Sequence, residues 1–407
     1  MTAPAGYETL RLAQASTIAL PLMIAHQCGQ AFRWRKVAIL DPHGPMRLEW
    51  SLCLRDRVVF LVHDQEAGCL YYRTLAGPKA ESHKTFTASW LRDYLNLDKP
   101  TSVWYQGWCK RDPIFAKHAK RFAGANILRQ DPWECMCAFI CSSNNNIPRI
   151  SQMVHKLCAH FSSPILDYTY PKGTRLCHSL DLNELWKEEA DAPTLTYHPF
   201  PHPTRLAERD VESRLRALGF GYRAKYLANT AQALCDQARL QIGKPASDEE
   251  VNVGVYNYLE QLRALPYYEA REKLLQLSGI GPKVADCILL MSLDQPSSIP
   301  VDRHVFQFAE RWYHIRSKRY EEVADKLRFI WGENAGWAHS VLFYADLPSF
   351  ANYMPAGKVD SGAKQPTDAQ ETAYFPHHGL PVMSRIKQEP DTDPALHASP
   401  TKRSRTS

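Results

Sequence analysis

Short runs in which apolar and polar residues alternate dominate roughly positions 10 to 125, and they are clearest at Leu48–Leu54 and Val58–His63. A period of two marks a half-buried strand, and the intervening Arg55-Asp56-Arg57 reads as a turn, so a β-rich module is expected, with some helix near Ser89–Leu97. From about Asp131 the period lengthens. Cys135, Phe139 and Ile140 recur at helical spacing, the polar stretch Ser142–Asn146 breaks the pattern, and a second helix is expected from about Pro148.

Residues 161–205 carry six prolines and little periodicity, which predicts an irregular excursion around a weak helix at Leu182–Glu188. Helices resume near Asp210. Val305, Phe308, Ala309 and Trp312 form an apolar stripe on a helix whose N-cap is Asp302, and further helices are expected at Tyr320–Ile330 and Gly336–Tyr344. The folded part should end near Tyr353. Residues 354–407 are rich in Pro, Ser, Thr and Asp with few large apolar side chains, so they cannot bury enough surface to offset chain entropy and are expected to be disordered. The pattern divides the chain at about 1–125, 126–353 and 354–407.

Composition narrows the class. With 407 residues, 44% hydrophobic and 11% aromatic, the chain can fill a large core. A net charge of +6 permits polyanion binding by a local patch without requiring it. Eleven cysteines without C-x-x-C spacing, and no secretory leader, predict reduced thiols inside the cell. No run of 18 apolar residues occurs, so no membrane partner is expected.

Chemistry concentrates in Leu274–Asp302, LLQLSGIGPKVADCILLMSLDQPSSIPVD. Gly279 and Gly281 allow a tight turn, and Pro282 suits the first position of the following helix, where its missing N–H is not needed. Backbone N–H groups then point outward toward an anion, and in a basic chain a phosphate fits best. Lys283 stands beside it, at the positive end of a helix dipole, where a further positive charge is disfavoured. An unprotonated amine there is a nucleophile able to form a Schiff base. Asp302 is an N-cap that can also stabilise a developing cation. Taken singly, a lysine of this kind is more often a solvated surface residue or a phosphate contact.

This stretch, ending in SSIPVD at Ser297–Asp302, strongly resembles the helix-hairpin-helix DNA glycosylase superfamily, and within it the eukaryotic 8-oxoguanine DNA glycosylases with lyase activity. CGQAFRW at Cys28–Trp34, FICSSNNNI at Phe139–Ile147, GFGYRAKY at Gly219–Tyr226 and GWAHSVLF at Gly336–Phe343 extend the resemblance over about residues 10–350. It implies an α+β fold, in which an N-terminal antiparallel β-sheet domain with flanking helices, TBP-like, packs on an all-α helix-hairpin-helix glycosylase domain. It implies no cofactor and no metal.

By the same resemblance, Lys283 attacks C1′ of the damaged deoxyribose, Asp302 assists as the base leaves, and the Schiff base permits β-elimination of the 3′ phosphate. Gly29 would offer its carbonyl to the N7 hydrogen of 8-oxoguanine, with Cys287 and Phe343 sandwiching the flipped base. Asn144 would fill the vacated space, Arg149 and Arg223 would bind the orphaned cytosine, and Tyr222 would wedge into the stack. Gly279, Gly281 and His304 would contact phosphate. His339 departs from the family pattern, which has glutamine there; an imidazole offers fewer simultaneous hydrogen bonds than an amide and can titrate.

Double-stranded DNA containing an oxidised purine is therefore the expected partner of a monomer. Two alternatives stand beside this reading. An endonuclease III or adenine-glycosylase type usually carries an iron–sulfur cluster on four later cysteines, whereas no cysteine follows Cys287 here. A non-catalytic DNA-binding module would need neither Lys283 nor Asp302. In the C-terminal stretch, Thr401-Lys402-Arg403-Ser404-Arg405 resembles a nuclear import signal, with a mitochondrial pool left open. Ile386-Lys387-Gln388-Glu389 resembles a small-modifier attachment site at Lys387, and Ser399-Pro400 a phosphorylation site.

Overall fold

Alternation along the N-terminal strands resolves into a sheet covered on both faces. In the computed structural model, which describes residues 3–13, 18–39, 46–75, 83–176, 187–188, 192–351 and 353, the strands are β1 (Glu8–Arg11), β2 (Arg35–Ile39), β3 (Arg47–Cys53), β4 (Val58–Asp64), β5 (Cys69–Leu75), β6 (Leu166–Thr169), β7 (Arg175–Leu176), β8 (Lys187–Glu188) and β9 (Thr194–Tyr197). Seven of them form one antiparallel sheet in the order β1-β5-β4-β3-β2-β7-β8. The expected Arg55-Asp56-Arg57 turn joins β3 to β4, with Trp50 opposite Leu61.

Trp50, Leu52, Val59, Leu61, Leu70 and Tyr72 face the main core, which continues into the helices. Val37, Ile39, Cys53, Val58 and Phe60 point the other way and are covered by Tyr168, Tyr170 and Tyr197. Strands buried on both faces lose strict alternation, which is why β4 reads as VVFLV.

Residues 161–205 therefore differ from the irregular excursion expected of them. β6 and β9 pair antiparallel as a separate two-stranded sheet, and β7 adds to the larger sheet beside β2 with Leu176 opposite Val37. Leu166, Tyr168 and Tyr170 repeat at period two, a strand signal masked by the prolines around it. Lys187–Glu188 is strand β8 rather than helix, while Leu182–Trp186 lie outside the described residues. So do residues 354–407, including Lys387 and Ser399.

Two further corrections concern the N-terminal module. The helix expected near Ser89–Leu97 runs His83–Tyr94. Helices at Thr101–Arg111 and Pro113–Ala119 were not anticipated, although Asp112-Pro113 is a helix-start signal: the Asp112 carboxylate accepts from Ile114 N at 2.9 Å and Phe115 N at 3.1 Å.

From Asp131 onward the expected helices are present. Asp131 caps Pro132–Cys141 through Glu134 N at 2.9 Å, and Asn146 caps Ile147–Phe161 through Arg149 N at 3.0 Å. Tyr267–Leu275 and Pro282–Ser292 flank the glycine hairpin, and Arg303–Tyr313, Tyr320–Trp331 and Ala335–Asp346 complete this side of the core. Pro282–Ser292 packs against Pro132–Cys141, so the helix carrying Lys283 is embedded in apolar surroundings. No helix among the described residues is long and apolar enough to cross a membrane.

Candidate active site

The glycine hairpin is shaped by its neighbour. Gly279 sits at φ +78°, and a β-carbon there would come within 2.5 Å of Tyr226 on the Arg223–Ile242 helix. Thr230 of the same helix donates to Ser278 O at 2.8 Å, so the turn is clamped to its support. Gly281 is the N-cap of Pro282–Ser292, with φ −91° and open space around its α-carbon. This arrangement turns the first N–H groups of the helix outward beside Lys283.

A cleft of about 1040 Å³ opens in front of Lys283, lined among others by Gly29, Phe139, Asn144, Asp302, His304 and Phe343. Lys283 Nζ lies 3.4 Å from Ser142 Oγ and 5.3 Å from the centroid of the Phe139 ring. Ser142 donates to Phe139 O at 2.7 Å, which leaves its lone pairs free to accept from the amine. Asp302 accepts from Val305 N at 3.0 Å, as an N-cap should, while its residue lines the same cleft. Both chemical candidates thus converge on one concavity from opposite helix N-termini.

Cys287 and His339 are buried beside this cleft rather than among its lining residues. Burial pushes the Cys287 thiol up to about 11 although Lys283 pulls it down, so the thiol is neutral at physiological pH. Burial likewise lowers His339 to about 4, with Asp302 opposing the shift and Lys283 adding to it. Phe343 stands between His339, stacked on it at 5.9 Å, and His304, edge-on at 6.0 Å. His304 Nδ1 is 2.9 Å from Asp346 Oδ2, which fixes the imidazole at the cleft edge.

Gly29, at φ +69°, is held by the residues around it. Gln30 donates to Asn126 O at 3.1 Å and Tyr344 Oη at 2.7 Å, and its carbonyl oxygen on the side chain accepts from Leu128 N at 3.0 Å. Arg33 pairs with Glu134 through two bonds of 2.8 and 2.6 Å and donates to Cys53 O at 2.8 Å. The CGQAFRW segment is thereby tied to the sheet, the Pro132–Cys141 helix and the Ala335–Asp346 helix together.

The remaining candidates form a rim. Asn144 adopts φ +46° in the turn before Asn146. Arg223 is buried, and its guanidinium donates to Ser143 O at 3.1 and 2.5 Å and to Asn144 O at 2.9 Å. Tyr222, exposed and 4.5 Å from the Arg223 guanidinium, donates to Ser143 O at 2.8 Å. Arg149 donates to Gly219 O at 3.2 Å. Arg223 therefore organises the asparagine turn, a role its motif did not reveal. Gln27, Ser142 and Tyr320 also line the cleft and were not singled out from sequence; Ser142 is the polar residue that ends an apolar helix, which is its one visible signal.

Residues 12–136 match the family described as 8-oxoguanine DNA glycosylase, N-terminal domain, and residues 137–333 match HhH-GPD superfamily base excision DNA repair protein. The chain is 34% identical to the N-glycosylase/DNA lyase OGG1 of Arabidopsis thaliana, over 85% of this chain and 84% of the relative. It is 31% identical to the N-glycosylase/DNA lyase of Saccharomyces cerevisiae, over 82% and 85%. Among solved structures, Clostridium acetobutylicum 8-oxoguanine glycosylase/lyase in its apo form superposes with a TM-score of 0.59 at 24% identity, covering 83% of this chain and 98% of that one. The same enzyme bound to double-stranded DNA containing cytosine opposite 8-oxoG gives 0.60 at 24% identity, over 84% and 95%. At that identity the likeness is one of fold.

Proposed function

The chain belongs to the 8-oxoguanine DNA glycosylase/DNA lyase family, and from that membership we infer how its cleft works. The protein is a bifunctional DNA N-glycosylase and AP lyase of base excision repair, acting on 8-oxoguanine in double-stranded DNA, opposite cytosine by preference. The observation that carries the mechanism is the convergence of Lys283 and Asp302 on one cleft. A glycosylase that activates water needs only the carboxylate; an amine beside it provides a covalent route.

In this route the damaged nucleotide first leaves the stack, at a cost of a few kcal/mol. The Lys283 nitrogen bonds to C1′ through its lone pair as the bond from C1′ to the base breaks, with the bonding pair leaving on the base. Asp302 stabilises the positive charge that develops on the sugar. Ring opening gives a protonated Schiff base, which acidifies the C2′ hydrogen. Loss of that proton expels the 3′ phosphate from C3′ and nicks the strand.

The flanking roles follow the same reading. Gly29 reads the N7 hydrogen that distinguishes 8-oxoguanine, Cys287 and Phe343 sandwich the base, and His339 meets its edge as a neutral imidazole. Asn144, Arg149, Tyr222 and Arg223 attend the emptied stack and the orphaned cytosine, while Gly279, Gly281 and His304 hold phosphate. The protein acts as a monomer whose N-terminal domain, 1–125, takes strands β7 and β8 from the 126–353 domain to complete its sheet, and it works in the nucleus, an address supported by the basic cluster Thr401–Arg405. Release of free 8-oxoguanine and a nicked strand from a duplex with 8-oxoguanine opposite cytosine tests this reading. Cutting of a pre-formed abasic site with no base release from any oxidised purine would refute it.

A further inference from the structure

Three residues beyond Lys283 on the same helix, Asp286 is fully buried. Its carboxylate is met by donors from three other segments. Tyr267 Oη donates to Oδ1 at 2.7 Å, Ser298 Oγ to Oδ1 at 2.8 Å and Tyr320 Oη to Oδ2 at 2.6 Å, and Arg271 Nε lies 3.5 Å from Oδ2. Tyr267 and Arg271 belong to the first helix of the hairpin. Ser298 belongs to the loop that leads into Asp302, and Tyr320 opens the next helix but one.

Tyr320 also faces the other way. Its oxygen accepts from Val301 N at 3.2 Å, the amide immediately before Asp302. Ser298 Oγ makes a second link, 3.0 Å from the backbone carbonyl of Asp286. Two short hydrogen-bond chains therefore join the helix that carries Lys283 to the loop that carries Asp302, and both begin at Asp286.

A buried ion pair or carboxylate network is a poor source of stability, because taking the charge out of water offsets what its partners return. What such a network does provide is one fixed arrangement of the segments that supply the donors. We propose that Asp286, with Tyr320 as relay, is a positioning residue that sets where Asp302 stands relative to Lys283. It acts through the backbone at Val301 and touches no substrate. This inference rests on the reading of Lys283 and Asp302 given above.

Its consequence is separable from folding and from DNA binding. Asp302 acts while the base departs, whereas at an abasic site Lys283 meets an aldehyde and no base has to leave. Displacing Asp302 should therefore slow excision more than it slows cleavage at a pre-formed abasic site. The test uses full-length wild type, Tyr320→Phe and Asp286→Asn, comparing single-turnover excision of 8-oxoguanine, cleavage of pre-formed abasic DNA and duplex Kd. Excision should fall about tenfold or more relative to abasic cleavage in both variants, while Asp286→Asn keeps abasic cleavage and Kd within about threefold of wild type. If Asp286→Asn does not fold, Tyr320→Phe decides, since it keeps the ring and loses only the oxygen that bridges Asp286 and Val301. Unimpaired excision in Tyr320→Phe, or a parallel loss of excision, abasic cleavage and duplex binding with a fall in Tm, overturns the inference. Wild type inert on both DNAs would instead overturn the functional reading, and this inference with it.

Discussion

His339 lies stacked on Phe343, ring centroids 5.9 Å apart and planes 27° from parallel, and neither imidazole nitrogen has a hydrogen-bond partner among the described residues. A buried polar group in that state costs about 1–3 kcal/mol. The edge of a flipped purine would supply the missing partners, which fits a specificity role better than a packing one.

The same isolation makes His339 a pH-dependent element. Its ordinary value of 6.5 falls to about 4 on folding, chiefly through burial. Between those values the unfolded chain binds the extra proton, so stability is lost as pH falls through the window, to on the order of 3 kcal/mol once the folded state is also protonated. Urea unfolding of wild type and His339→Gln at about pH 7 and about pH 4.5 should show a smaller acid loss in the variant. An equal loss in both would place the titration elsewhere.

Gly279 and Gly281 look alike in sequence and should behave differently. Gly279→Ala forces a side chain into positive φ and against Tyr226, and is expected to cost about 3 kcal/mol. Gly281→Ala meets open space at negative φ and should stay within about 1 kcal/mol. Chemical denaturation of the two variants measures the contrast.

Much of the site was legible from residue order because its chemistry is local. A hairpin, a helix-opening lysine and an N-cap aspartate each announce themselves within a few residues, and Asp302 caps its helix as the stripe at Val305, Phe308 and Ala309 required. What stayed hidden depends on distant pairing. β7 joins the sheet only because β2 offers an edge, and Arg223 reaches the Ser143 and Asn144 carbonyls across some 80 residues of chain. Likewise Asp286 stands out in sequence merely as one charge in an apolar helix; its partners at Tyr267, Ser298 and Tyr320 emerge only in three dimensions.

Gly336 links the last core helix to the loop before Asp302. Its N–H donates to Pro296 O at 2.8 Å, and an added β-carbon would fall 2.3 Å from Ser298 O and 2.5 Å from Leu290 Cδ1. Gly336→Ala should therefore displace that loop, lowering stability by about 2 kcal/mol and excision by about a hundredfold. A thermal melt and single-turnover assay on the same sample would check both.

Removal of the Arg223 guanidinium takes the donor from the Asn144 carbonyl and leaves Ser143 O with Tyr222 alone. Arg223→Ala is expected to destabilise the protein by about 2 kcal/mol and to reduce the preference for cytosine over adenine opposite the lesion about tenfold. Excision rates on paired duplexes differing in that one base give the ratio directly.

The covalent role of Lys283 is tested most directly by borohydride trapping on a duplex containing 8-oxoguanine opposite cytosine. Reduction should fix a protein–DNA adduct with wild type and none with Lys283→Gln, under conditions where both bind the duplex. Absence of an adduct with active wild type, or an adduct that survives Lys283→Gln, would contradict the account.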